Sequence, residues 1–105
     1  MRIALPVQVS YASPLEKAMR ILTDAAKNHP RALTDPPPKA FVLRFRDNGI
    51  DLELGVWIAD AEQGQLGLRS DIYLEIWREF QKQGIESPYP QHDIRIVSQP
   101  SPPRV

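Results

Sequence analysis

The chain has 105 residues, 42% hydrophobic and 25% charged, which is the mixture of one folded domain and not of a disordered segment. Thirteen basic residues balance thirteen acidic ones, so the cationic surplus that neutralises phosphates in a nucleic-acid binder is missing. The lack of cysteine removes disulfides, thiolate metal sites and thiol catalysis. The longest unbroken hydrophobic runs, 40–43 and 56–59, are far too short to span a bilayer or to form a signal peptide.

In chain order, Ile3, Leu5, Val7 and Val9 alternate with Ala4, Pro6 and Gln8, the period of a half-buried strand. Proline donates no ladder hydrogen bond, so either the regular strand starts near Val7 or Pro6 takes a bulge or unpaired position. Ser13-Pro14-Leu15-Glu16 reads as a capping box, with serine at the N-cap and proline at the first helical position. Leu15, Met19, Leu22 and Ala26, with Ala18 and Ala25, then share one face, which predicts a helix over 14–28 stopped by Pro30. Asp35-Pro36-Pro37-Pro38 makes 31–39 an extended connection.

Phe41, Leu43 and Phe45 alternate with Val42, Arg44 and Arg46, and Ile50, Leu52, Leu54, Val56 and Ile58 alternate on the returning strand. A two-residue type I′ loop at Asn48-Gly49 closes this hairpin and sets its register. Phe45 then faces Leu52, Leu43 faces Leu54 and Phe41 faces Val56, while Arg46 faces Asp51 and Arg44 faces Glu53. After the polar break Gln63-Gly64-Gln65, a second helix begins at Leu66. Leu68, Ile72, Ile76 and Phe80 recur at every fourth position, Tyr73 and Trp77 widen the stripe, and Gly84 ends it. Trp77 and Phe80 are read as core. Pro88-Tyr89-Pro90 connects to a short last strand at Ile94 and Ile96, and the tail 99–105 is proline-rich and frayed.

The order strand, helix, strand, strand, helix, strand is that of an α+β, ferredoxin-like βαββαβ sandwich over 1–98. Both helices lie on one face of a four-stranded antiparallel sheet. The other face is left bare and carries Val42, Arg44, Arg46, Asp51, Glu53 and Trp57. Such a face is either a partner surface or a bed for a flanking segment.

Groups able to do chemistry are few. His29 follows a helix, where a histidine favours the dipole. His92 stands beside Asp93 with no third ligand converging, so no metal is expected. The five glycines are scattered and build no phosphate loop, and Asp60 and Glu62 fall in a solvated loop. No catalytic residue and no cofactor is assigned. The arginines of the open face are opposed by acids, unlike the base-stacking aromatics of ferredoxin-like RNA modules.

Pro6-Val7-x-Val9-Ser10-Tyr11, Leu15-Glu16-Lys17-Ala18, Ile21-Leu22, His29-Pro30-Arg31 and Asp35-Pro36-Pro37-Pro38 together resemble the C-terminal soluble portion of small-conductance mechanosensitive (MscS-type) ion channels. The likeness continues through Leu52-Glu53-Leu54-x-Val56-Trp57, Arg69-Ser70-Asp71, Gly84-Ile85-Glu86 and Pro88-Tyr89-Pro90-Gln91-x-Asp93, and covers about residues 2–97. It implies a homoheptamer in which this domain walls a cytoplasmic vestibule beneath a tension-gated pore in the inner (plasma) membrane, relieving osmotic downshock. Under this resemblance the pore lies upstream and Met1 marks a truncation, so the fragment itself does not insert in the membrane. Arg44, Arg46, Asp51, Glu53 and Trp57 become candidate subunit-interface or vestibule-surface residues. Gln8 departs from the small residue common at its position, Gln65-Leu66-Gly67-Leu68 lacks the usual aromatics, and Pro100, Pro102 and Pro103 would interrupt a terminal barrel strand.

Two other readings compete. A stand-alone ferredoxin-like module that binds a small molecule would gain thermal stability with its ligand. An acylphosphatase-like enzyme would need a phosphate-cradling loop after the first strand, and Ser10-Tyr11-Ala12-Ser13 offers neither glycine nor arginine.

Overall fold

Period-two spacing of apolar residues sets the centre of the molecule. The computed structural model describes residues 1–87. In it β1 (Arg2–Val9), β2 (Lys39–Phe45) and β3 (Ile50–Trp57) form an antiparallel sheet in the order β1-β3-β2. Ile3 lies opposite Val56, Leu5 opposite Leu54, Val7 opposite Leu52 and Val9 opposite Ile50. All of these but Val7 are buried, and Val7 is half-buried. Against this face pack Ala18, Ile21, Leu22, Ala25 and Ala26 of α1 (Leu15–Lys27), and Leu68, Ile72, Ile76 and Phe80 of α2 (Leu66–Gln83). The expected α+β layering is therefore present, with two helices over a three-stranded sheet. The predicted fourth strand at Ile94 and Ile96, His92, the boundary at 98 and the tail lie outside the described residues.

Pro6 neither delays nor bulges β1, which starts at Arg2 and pairs Pro6 with Glu53 in unbroken register. The reason is parity. Met1 and Ile58 exchange backbone bonds of 3.0 and 2.9 Å, so the odd-numbered residues of β1 carry the ladder to β3 and the even-numbered ones face away. The missing proline N–H falls on the outer side, where the Pro6 carbonyl accepts from Tyr73 Oη of α2 at 2.8 Å.

The capping box does not form. Pro14 holds the N-cap position of α1, with no side-chain cap. Ser13 Oγ instead donates to the Glu86 carbonyl at 3.3 Å and accepts from the Glu86 N–H at 3.4 Å, because the chain returns there after α2. That return is set by Gly84, whose φ of 72° ends α2 in the left-handed conformation that favours glycine. Ile85 then enters the core, and the Glu86 carbonyl accepts from the Ser10 N–H at 2.8 Å. The connection to β2 is not extended throughout. It turns where the His29 carbonyl accepts from Ala32 N–H, and Leu33 N–H donates to the Trp57 carbonyl at 2.8 Å.

The hairpin forms, with a different register. Phe45 lies opposite Ile50, Arg44 opposite Asp51, Val42 opposite Leu52 and Ala40 opposite Leu54, with an irregularity between Val42 and Arg44 that leaves Leu43 unpaired. The loop spans 46–49 and is tied by Arg46 N–H to the Gly49 carbonyl at 2.7 Å. Positive φ occurs at Gly64 and Gly84 and not at Gly49, so the type I′ loop expected at Asn48-Gly49 does not form. The faces of β3 are fixed by β1 and the helices. Among the described residues β2 is an edge strand that answers to one neighbour, and the bulge lets it shift until Arg44 shares a face with Asp51. Two residue assignments change with it. Phe41 joins the bare face opposite Glu53, and Val42 leaves that face for the helix side. Trp77 is also corrected: it is 61% exposed, while Phe80 is buried as predicted. The α2 stripe that meets the sheet is the narrow row Leu68, Ile72, Ile76 and Phe80.

Candidate assembly surface

The face of the sheet away from the helices is built from alternate residues of all three strands. β1 contributes Arg2 and Gln8, β3 contributes Asp51, Glu53 and Gly55, and β2 contributes Phe41 and Arg44. Asp51 is the centre of its lower half. Its Oδ1 accepts from Gln8 Nε2 at 2.8 Å, its Oδ2 accepts from Arg46 Nε, and Arg44 Nε stands 3.4 Å away. Glu53 does not meet Arg44, as the expected register would have it. It takes Arg2 Nη2 at 2.8 Å. Arg2 reaches it by lying across Gly55, where an added Cβ would come within 2.4 Å of the guanidinium. Three guanidiniums thus share two carboxylates.

The Arg46 hydrogen bond, then that of Gln8, holds the Asp51 carboxyl below its ordinary value. A carboxylate whose pKa is depressed on folding stabilises the fold above its unfolded pKa, and that contribution fades as pH falls through the folded value. The contribution of Asp51 to stability is therefore expected to hold from neutral pH to about pH 4 and to decline below it. Asp51→Asn should flatten that decline, as read from urea midpoints across the range. An unaltered acid profile in the variant would show that the carboxylate is not held by its neighbours.

Beside this charged half runs an apolar edge. Phe41, Val42, Leu43 and Phe45 are all exposed, Phe45 at 66%. Tyr11 stacks on Phe45 with ring centroids 6.4 Å apart and its hydroxyl donates to the Arg46 carbonyl, fastening the hairpin tip to the end of β1. A strand edge with four exposed apolar side chains, broken only by Arg44, is a surface built to pair or to be covered. Trp57 stands apart from it, half-buried at the far end of β3 beside Leu33.

The structure thus gathers Arg44, Arg46 and Asp51, places Glu53 with Arg2, and sets Trp57 opposite Arg2 at the far end of the face. Sequence reasoning missed Arg2, Gln8, Phe41 and Tyr11. Gly55 inside a strand was the available sign that a long side chain crosses there. Asp60 is not simply solvated: Arg31 clamps it with a two-pronged ion pair. Among the described residues no group of three metal-ligating side chains converges, and no helix is long and apolar enough to cross a membrane.

A family model described as "Mechanosensitive ion channel MscS, C-terminal" matches residues 3–87. An uncharacterised MscS family protein of Archaeoglobus fulgidus is 30% identical over 98 residues, covering 93% of this chain and 34% of that protein. The small-conductance mechanosensitive channel MscMJ of Methanocaldococcus jannaschii is 27% identical over 99 residues, covering 90% of this chain and 28% of its own length. The crystal structure of Helicobacter pylori MscS in its closed state shares the fold with a TM-score of 0.75 at 21% identity, covering 85% of this chain and 35% of that one. The chain thus spans about a third of the length of these relatives. With the model spanning nearly all the described residues, the chain belongs to the MscS mechanosensitive channel family and represents its C-terminal domain.

Proposed function

We propose that this domain is a non-catalytic wall element of the cytoplasmic vestibule of a mechanosensitive channel, assembled with copies of itself, in the family's manner as a heptamer. The observation that carries the reading is the open sheet face. Its carboxylates are neutralised in place and the Arg44 and Arg46 guanidiniums stay in water, next to an apolar strand edge suited to a neighbouring subunit. Exposed Arg44 and Arg46 then set the local ion concentration along the path to the pore. Trp57 and Glu53 belong to the same surface at its other end.

We also infer that the sheet is completed in the ferredoxin-like order. Supporting this, the outer edge of β1 turns the backbone groups of its even residues away from β3, and the Glu86 carbonyl already takes the Ser10 N–H at the end of that edge. A groove formed by Pro6, Val7, Tyr73, Leu74 and Trp77 lies beside the same edge, and Ser87 also lines it.

The test is charge reversal in a full-length channel that carries this domain. Arg44→Glu with Arg46→Glu should lower the preference for anions over cations and alter unitary conductance in patch recordings, with gating tension unchanged. Conductance and ion preference identical to the parent would remove the face from the ion path.

A further inference from the structure

The segment His29-Pro30-Arg31 leaves α1, and both of its polar side chains are committed. Arg31 Nε donates to Asp60 Oδ2 at 2.8 Å. Its Nη2 donates to Asp60 Oδ1 at 3.0 Å, to the Asp60 carbonyl at 3.3 Å and to the Gly64 carbonyl at 2.7 Å. This fork ties the exit of α1 to the loop between β3 and α2. His29 is the second tie. Its side chain is only 11% exposed, with Nε2 2.9 Å from Asp71 Oδ2 of α2 and Nδ1 3.1 Å from the backbone nitrogen of Arg31. The sequence reading gave this histidine to the α1 dipole. The structure gives it to α2 and to Arg31.

The two ring nitrogens have different partners, and the partners fix the proton. Arg31 N–H can only donate, so Nδ1 must offer a lone pair. The Asp71 carboxylate can only accept, so Nε2 must carry hydrogen. One neutral tautomer satisfies both bonds. A second proton has only Nδ1 to occupy, where it would point at the Arg31 N–H. The charged groups around the ring are Asp71, Glu75 and Arg78 from α2, Asp60 from the loop after β3, and Arg31 from its own segment. Arg78 and Glu75 approach each other at 3.5 Å, and Arg31 and Asp60 are paired, which leaves Asp71 as the acid directed at the imidazole.

We propose that His29 is a proton-operated pin between the two helices. Neutral, it holds the Arg31 backbone and so seats the guanidinium fork on Asp60. Protonated, it keeps Asp71 as an ion pair and gives up the Arg31 amide, loosening the tie between α1 and the start of α2 while the sheet stays intact. The step adds one solvent proton to Nδ1 and breaks one hydrogen bond. It is independent of how the domain assembles.

The test uses the 105-residue protein labelled with nitrogen-15. Long-range proton–nitrogen spectra at pH 8 should show the Nε2–H tautomer. Between pH 8 and pH 5 the hydrogen-exchange protection factor of the Arg31 amide should fall about tenfold, the size of one lost hydrogen bond, while that of Leu54 in β3 stays constant. His29→Asn keeps an oxygen that accepts from the N–H two residues on but does not titrate, so Arg31 should remain protected at both pH values. An Nδ1–H tautomer at pH 8, constant Arg31 protection in the wild type, or the same fall in His29→Asn would each overturn the proposal. Should His29→Asn fail to fold, the wild-type tautomer and protection factors decide it.

Discussion

Leu54→Ala is expected to lower the unfolding free energy by about 3–4 kcal/mol and the melting temperature by more than roughly 10 °C. Leu54 is wholly buried in the central strand, flanked by Leu5 of β1 and Ala40 of β2. One neighbour is already small, and the other is held by an eight-residue ladder and buried under the helices. Neither can move to fill the space, so the cavity persists and adds to the lost transfer energy. Equilibrium urea unfolding measures the change. A loss below about 1 kcal/mol would mean that the core is loosely packed around β3.

Phe80→Ala is expected to cost about as much, 3–5 kcal/mol, with a different local signature. Phe80 fills the last turn of α2, and its carbonyl accepts from both Gly84 N–H and Ile85 N–H. Truncating the ring removes support from buried Ile85, and from there the loss reaches Glu86 and its bond to Ser10. Hydrogen exchange should therefore show the Ser10 amide opening more easily than the amides of β3 in the Phe80 variant, and not in the Leu54 variant. Equal loosening of both amides would place Phe80 in one cooperative unit with the sheet.

What the sequence made legible follows from how many neighbours constrain each element. β3 touches β1, β2 and α1, so its alternation had only one solution, and Ile50, Leu52, Leu54 and Val56 lie where period two puts them. α2 was readable at Leu68, Ile72, Ile76 and Phe80 because that row is buried in the core. β2 was not. Among the described residues it pairs on one side only, and the Asn48-Gly49 dipeptide suggested a loop that the chain does not use. Trp77 was misread because hydrophobicity at helical spacing says which way a side chain projects, not whether anything stands there to meet it. Ser13 was misread because the partner that takes its hydroxyl arrives 73 residues later. Of the candidate surface, the Arg–Asp51 cluster was visible as opposed charges, whereas the role of Arg2 depended on a glycine two places along the neighbouring strand from its own partner.

The parity of β1 has a mechanical consequence. Met1 is fastened to Ile58 at one end of the strand, and the segment after α2 is fastened to Ser10 at the other, roughly 25–30 Å away at strand spacing. Traction applied between those two anchor points runs lengthwise along β1. Its bonds to β3 would then be strained side by side, in shear, and would have to fail together instead of peeling open one after another. That geometry transmits a tug as a stiff strut does.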